Sequence, residues 1–206
     1  MYTTIHLIRH GHTEFTGAPN SLGQSDSDRV AGSTDVALSL DGERAALEFG
    51  QRSDLAGIEQ VFSSPLQRAQ VTAELVSQRQ PQQDPRLAEL DFGVWEGLRW
   101  QEVHDRWPDE MAAWGQDWVN IAPPEGESFL QLAERANHWL TETLADCHGQ
   151  SMLACAHAGT IRAILCSALK LPLANAMSFS IDYVHVVSLV ERDGHIRCLR
   201  LNADRL

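Results

Sequence analysis

The stretch Thr3-Thr4-Ile5-His6-Leu7-Ile8-Arg9-His10-Gly11-His12-Thr13-Glu14 decides the reading of this chain. Ile5, Leu7 and Ile8 form a short apolar run that ends abruptly at a polar cluster. A strand covered on both faces reads as such a run, and at the centre of a parallel sheet it delivers the next residues to a loop at its C-terminal end. The pattern therefore predicts a first central strand with Arg9 and His10 at its tip.

Outward from that strand, helical and extended signals alternate. Ser39, followed by Asp41 and Glu43, predicts a capped helix to about Arg52. Val61 and Phe62 predict a brief strand, and Ser64 as cap with Pro65 at the first position predicts a helix to about Gln78. Pro81–Pro85 reads as a break, Leu87–Gly97 as extended or irregular, and Arg99–Arg106 and Asp109–Asn120 as short Trp-bearing helices. Ser128 and Gln131 make a capping box. After it Phe129, Leu132, Ala133, Ala136, Leu140 and Leu144 recur at helical spacing, which predicts a long amphipathic helix to about Cys147.

Met152–Ala156 reads as a buried strand, followed by a helix from Thr160 to near Lys170. Val184–Glu191 and Ile196–Leu201 flank Asp193-Gly194, a strong hairpin signal. The segment Thr16–Gly32, rich in Gly, Ser, Asp and Asn, reads as a long surface loop. Strands alternating with helices define an α/β three-layer sandwich: a mostly parallel central sheet, helices on both faces and an antiparallel edge hairpin. Without repeats, low-complexity tracts or a linker, residues 1–206 are expected to form one domain.

Composition narrows the function classes. The 206 residues include 16 Lys and Arg against 28 Asp and Glu, a formal net charge of −12. A chain of this length buries about 70% of its unfolded surface and needs no disulfide or metal staple. Nucleic acid and anionic membranes are gripped by clustered cations, so neither is an expected partner. The nearest approach to a membrane span, Ser151–Leu169, carries His157 and Arg162 in its middle, so none is expected. Cys147, Cys155, Cys166 and Cys198 show neither a C-x-x-C pair nor zinc spacing and read as reduced thiols. Met1 opens straight into the strand rather than into a signal-peptide pattern, and with the thiols this points to the cytoplasm.

Three clusters carry chemistry: Arg9-His10-Gly11, Ser63 through Ala69, and Ala156-His157-Ala158-Gly159. In an open α/β sheet ligands bind beyond the C-terminal strand ends, so all three are expected at one crevice. Two histidines and two arginines suit a phosphoryl group, because a guanidinium fork matches its oxygens in pairs. Phosphoryl transfer needs an in-line nucleophile, fixed positive charge and a proton for the leaving oxygen. His10 is read as the nucleophile, kept neutral by its cationic neighbours. Arg9, Arg68 and His157 would neutralise the transferring group, helped by backbone N–H groups at the helix starts beside Arg68 and Thr160. Glu89 sits among apolar residues ahead of Trp95, surroundings that raise a carboxylic acid toward the general-acid range.

Other residues carry less. Trp95, Trp100, Trp107, Trp114 and Trp118 read first as packing beneath the Glu89 segment and second as a wall for an aromatic leaving group. Glu125-Gly126-Glu127-Ser128 reads first as a loop with the capping box and second as a substrate-contacting lid. The remaining histidines read as surface or core groups, and among them only His12 adjoins the site.

Five ordered motifs, LIRHGHTE (7–14), FSSPLQRAQVTAEL (62–75), LAELDFGVWEG (87–97), PPEGESF (123–129) and ACAHAGTIR (154–162), resemble those of the histidine phosphatase superfamily, in its phosphoglycerate-mutase-like branch. The resemblance covers nearly the whole chain. It implies a phosphohistidine at His10, a phosphate pocket of Arg9, Arg68 and His157, and Glu89 as general acid and base. It further implies phosphate contacts at Thr16 and at the Ala158 N–H, with no metal and no other cofactor.

Within the family, LDFGVWEG, MAAWGQDWVNIAPPEGESF and LKLPLANAMSFSIDY are similar to the α-ribazole phosphatases of cobalamin biosynthesis. Broad-specificity phosphatases of the same size are close competitors, and phosphoglycerate mutases, similar to longer chains, resemble it less. The resemblance thus implies a metal-independent phosphomonoesterase acting on a small phosphorylated substrate, with a homodimer compatible with the sequence. The alternative of another class is a non-catalytic phospholigand-binding module. The chain departs from the family pattern at His12, usually Glu or Gln, at Thr16, often Asn, at Ala158-Gly159, commonly Gly-Gly or Gly-Asn, and in a longer loop, Gly17–Val30.

Overall fold

The computed structural model describes residues 1–16 and 29–206. Their strands are β1 (Thr3–Arg9), β2 (Gln60–Ser63), β3 (Gln82–Gln83), β4 (Ser151–Ala156), β5 (Val186–Arg192) and β6 (His195–Ala203), joined in one sheet in the order β3-β2-β4-β1-β5-β6. β1 pairs parallel with β4, and β2 pairs parallel with β4 and β3. β5 runs antiparallel to both β1 and β6. The hairpin between β5 and β6 turns at Asp193 and Gly194, both with positive φ (52° and 78°), as a two-residue turn of this hand demands. The expected α/β sandwich, mostly parallel with an antiparallel edge hairpin, is what forms.

Among the described residues six α-helices accompany the sheet: α1 (Leu40–Arg52), α2 (Gln67–Ser77), α3 (Trp100–Arg106), α4 (Pro108–Gln116), α5 (Phe129–Asp146) and α6 (Ala158–Ala168). Successive strand side chains point to opposite faces. Accordingly Ile5 and Leu7 of β1, with Met152 and Ala154 of β4, pack against Ala136, Trp139, Leu140, Ile161 and Ile164 of α5 and α6. Ile8, Leu153 and Cys155 pack on the other side against Ala46, Phe49, Ala69, Ala73 and Val76 of α1 and α2. Covering both faces is why the β1 sequence reads as a largely apolar run. The one polar residue within it, His6, is satisfied across the β1–β5 pair, with Nδ1 2.8 Å from Ser188 Oγ.

The Ser128–Gln131 capping box forms as expected and starts α5. A separate cluster around Val30, Trp95 and Val103 gathers Trp100, Trp107 and Trp114 with Phe92. Among the described residues no helix is long and apolar enough to cross a membrane.

Four sequence expectations need correction. α4 ends at Gln116 rather than near Asn120. α2 begins at Gln67, not at Pro65, because the Ser64 hydroxyl is drawn to His157 (Oγ to Nε2, 2.9 Å) and accepts the Leu66 N–H rather than capping the helix. The Pro81–Pro85 break contains β3, whose Gln82 and Gln83 pair with Phe62 and Ser63 at the sheet edge. α6 begins at Ala158, before Thr160, with His157 as its N-cap. The loop reading for Thr16–Gly32 falls mainly on residues 17–28, which lie outside the described residues.

Candidate active site

β1 and β4 end in register, Arg9 opposite Ala156, so the next residues on these adjacent parallel strands are His10 and His157. Their ring centroids lie 5.0 Å apart, and both side chains are buried. His10 Nδ1 stands 2.8 Å from the Gly11 carbonyl oxygen. A carbonyl only accepts, so Nδ1 carries the proton and Nε2 keeps its lone pair. Burial first, then the Arg68 and Arg9 guanidiniums, hold the His10 pKa well below its usual value, against the opposing pull of the Gly11 carbonyl. At neutral pH the ring is therefore uncharged with a lone pair on Nε2, the state a nucleophile requires. The Gly11 N–H donates to Thr72 Oγ1 at 3.0 Å and fixes the turn.

Arg68, in the first turn of α2, is 1% exposed. Its Nη1 donates to the Thr34 carbonyl at 2.7 Å, and its Nη2 donates to those of Gly32 (2.7 Å) and Ala31 (3.3 Å). Burial lowers its pKa, and Glu89, Asp35 and Glu96 oppose that. Arg9 donates from Nη1 to the Ile181 carbonyl at 2.7 Å, and its guanidinium carbon lies 3.6 Å over the Tyr183 ring. The same ring meets His10 edge-on at 5.6 Å and packs on His12 at 4.4 Å. Arg9 Nε and His157 Nδ1 are buried without a hydrogen-bond partner among the described residues.

The helix-start donors expected beside Arg68 and Thr160 are taken up by carboxylates. Glu89 accepts the Gly159 N–H at 3.0 Å and the Thr160 N–H at 3.2 Å, and Asp35 accepts the Gln67 N–H at 2.7 Å. Carboxylates occupy both helix starts because orphan N–H groups and the helix dipole attract negative charge. Of the first-turn donors of α6, the Ala158 N–H is one that Glu89 does not take. The apolar surroundings expected for Glu89 are likewise replaced, on its carboxylate, by these donors and the Leu90 N–H at 3.1 Å.

A Cβ at Gly159 would lie 2.4 Å from Glu89 Oε1, so this approach requires glycine. Arg135 of α5 anchors the segment: Nη1 donates to the Ala88 carbonyl (2.7 Å), Nη2 to that of Glu89 (3.0 Å), and the guanidinium pairs with Glu127. The Glu125–Ser128 segment thus holds the Glu89 segment through Glu127.

A cavity of about 450 Å³ opens on Arg9, His10, Arg68 and Glu89, together with Thr13, Tyr183 and Trp100. Four of the five catalytic residues expected from sequence meet there, and His157 lies fully buried beside His10 rather than on the cavity surface. Thr16 is not on the lining either: its Oγ1 accepts the Thr13 N–H at 2.9 Å, and Thr13 reaches the cavity instead. Of the clustered tryptophans Trp100 lines the cavity, whereas Trp95 is wholly buried.

Tyr183, Ser64, Thr13 and Arg29 are among the residues the sequence does not announce as part of the site. Tyr183 arrives through topology, since antiparallel β5 brings its preceding residues to the C-terminal end of β1. Ser64 before Pro65 reads as a helix cap, whereas its hydroxyl stands 2.9 Å from His157 Nε2. Among the described residues no group of three or more His, Cys, Asp or Glu is placed to hold a metal ion.

This arrangement has known relatives. The sequence pattern of the histidine phosphatase superfamily (branch 1) matches residues 5–204, and the chain belongs to that superfamily. A Cronobacter sakazakii protein named "Probable phosphoglycerate mutase GpmB" is 32% identical over 175 residues, covering 82% of this chain and 75% of that one. Phosphoserine phosphatase 1 of Hydrogenobacter thermophilus is 27% identical over 201 residues, covering 95% and 90%. Among solved structures, a candidate α-ribazole-5′-P phosphatase from Escherichia coli K-12 superposes with a TM-score of 0.86 at 25% identity, covering 99% of this chain and 98% of that one.

Proposed function

We propose that this protein is a metal-independent phosphomonoesterase that passes the phosphoryl group through His10, with α-ribazole 5′-phosphate as its substrate. The observation that carries the reading is the His10 imidazole, uncharged, with its proton fixed on Nδ1 and set beside two guanidiniums. Nε2 attacks phosphorus while the bond to the leaving oxygen breaks, and that oxygen takes up a proton relayed from solvent through Glu89. Water then attacks the phosphohistidine, Glu89 takes its proton, the P–N bond breaks and phosphate leaves. Both steps spread negative charge over the equatorial oxygens, where Arg68, Arg9 and His157 act. Arg9 lines the cavity and its Nε is buried without a partner among the described residues, which supports this, since such a group costs about 1–3 kcal/mol until an acceptor reaches it.

For the leaving group, Trp100 and Tyr183 on the cavity favour a planar aromatic moiety. A phosphorylated protein quenched in alkali is expected to carry base-stable, acid-labile phosphate on His10, and His10→Ala none. Equal hydrolysis by the two proteins overturns the mechanism. A kcat/KM for α-ribazole 5′-phosphate at least tenfold above those for phosphoserine and phosphoglycerate, about 1.4 kcal/mol, supports the substrate. A smaller ratio makes it a broad phosphatase, and phosphoglycerate isomerisation faster than hydrolysis makes it a mutase.

A further inference from the structure

We infer that Glu96 is a positioning residue for the phosphate-binding Arg68, acting through the turn Gly32–Thr34; this rests on the phosphatase reading above. Arg68 owes its orientation to the carbonyls of Ala31, Gly32 and Thr34, but that turn has no strand or helix of its own to hold it. Its N–H side is gathered by one carboxylate. Glu96 Oε2 accepts from the Gly32 N–H (3.2 Å), the Thr34 N–H (3.0 Å) and the Thr34 hydroxyl, while Oε1 accepts from the Ser33 N–H (2.7 Å) and the Phe92 N–H (3.0 Å).

The turn is thus strung between an anion on its donor side and a cation on its acceptor side. Charge-assisted bonds of this kind are about twice as strong as neutral ones. Gly32 makes the approach achievable: a Cβ there would lie 1.8 Å from the Leu90 carbonyl oxygen and 2.5 Å from Glu96 Oε1. Asp35 fastens the far end of the turn to the start of α2, accepting from the Gln67 backbone and side-chain N–H groups, each at 2.7 Å. Glu96 itself does not line the cavity, so its influence on phosphate passes through Arg68.

The test uses the full chain with p-nitrophenyl phosphate as substrate and orthovanadate as the bound probe, measured by calorimetry. Glu96→Ala is expected to lower kcat about 10- to 100-fold, the loss produced by a displacement of about 1 Å or by removal of one preorganised donor, and to weaken vanadate in proportion. Glu96→Gln keeps the volume but only one accepting oxygen, so its loss should be intermediate. The decisive measurement is the double variant. If Glu96 acts through Arg68, Glu96→Gln in an Arg68→Ala background costs no more than about twofold further, because the two share one function.

Losses that multiply would show a general structural role and overturn the inference, as would full activity and unchanged vanadate affinity in Glu96→Ala. A wild-type protein that binds vanadate yet hydrolyses nothing sinks the phosphatase reading while the binding arm still tests Glu96. One that does neither sinks both.

Discussion

Glu89 and Glu96 stand on the same irregular segment and are held alike. Each collects backbone N–H groups from another part of the chain, and each faces a glycine whose Cβ would fall 2.4 or 2.5 Å from its Oε1. The donors of Glu89 belong to the first turn of α6, next to His157, and its side chain reaches the cavity. Those of Glu96 belong mainly to the turn whose carbonyls hold Arg68, and it stays outside the cavity. On the proposed mechanism one local chemistry would serve as a proton carrier at Glu89, which lines the cavity, and as a strut at Glu96, which does not.

The largest expected difference follows from replacing the proton carrier. Glu89→Gln should lower kcat for alkyl phosphate esters by about 10²- to 10⁴-fold, the usual worth of a positioned acid. On p-nitrophenyl phosphate, whose leaving group needs little protonation, the loss should be much smaller. Equal losses on both substrates would remove the distinction between the carboxylates.

The opposed glycines should separate next. Gly159→Ala drives a Cβ at the tip of the Glu89 side chain and is expected to cost about 100-fold in kcat with a modest change in stability. Gly32→Ala meets backbone at Leu90 as well, which cannot swing away, and should cost on the order of 3 kcal/mol of folding free energy. Urea midpoints and steady-state rates on the same preparations decide it. If the two variants lose activity and stability in the same proportion, the contrast fails.

The smallest effect concerns the strands behind the Glu89 side of the cavity. Burial first, and then Arg200, lower the pKa of His6 on β1 from 6.5 to about 4. Below pH 6.5 the unfolded chain binds a proton that the native His6 refuses, so native stability falls as pH drops from 6.5 toward 4 and levels off below. That amounts to about 2 kcal/mol by pH 5. His10 and His157 are shifted in the same direction and act with the same sign. Denaturation at pH 7 and 5 should show the slope, and His6→Asn should flatten it. An unchanged slope would clear His6 of the effect.

Much of the Glu89 side was legible in the sequence. Apolar runs ending at Arg9-His10 and at His157 announce strand tips, and strand tips in a parallel sheet face one crevice. Arg68 and Glu89 followed from their motifs. The Glu96 side was not legible, because its side chain meets backbone N–H groups of a turn some sixty residues away, and neither Gly32 nor Glu96 alone announces that partner. Tyr183 escaped for a related reason, since only the placement of β5 beside β1 brings it over Arg9. Ser64 was seen but misassigned: a serine before a proline is a good cap, and the pull of a buried imidazole outweighs that preference.

The pairing of Arg9 with Ala156 has one more consequence. The two histidines meet only because neighbouring strands run out at the same level, so their relation is written in strand register rather than in any flexible segment. A single-residue insertion within β1 or β4 shifts one tip by about 3.3 Å and turns its side chain to the opposite face. Length changes in this lineage should therefore be confined to connections away from these two strands, such as the β5–β6 hairpin.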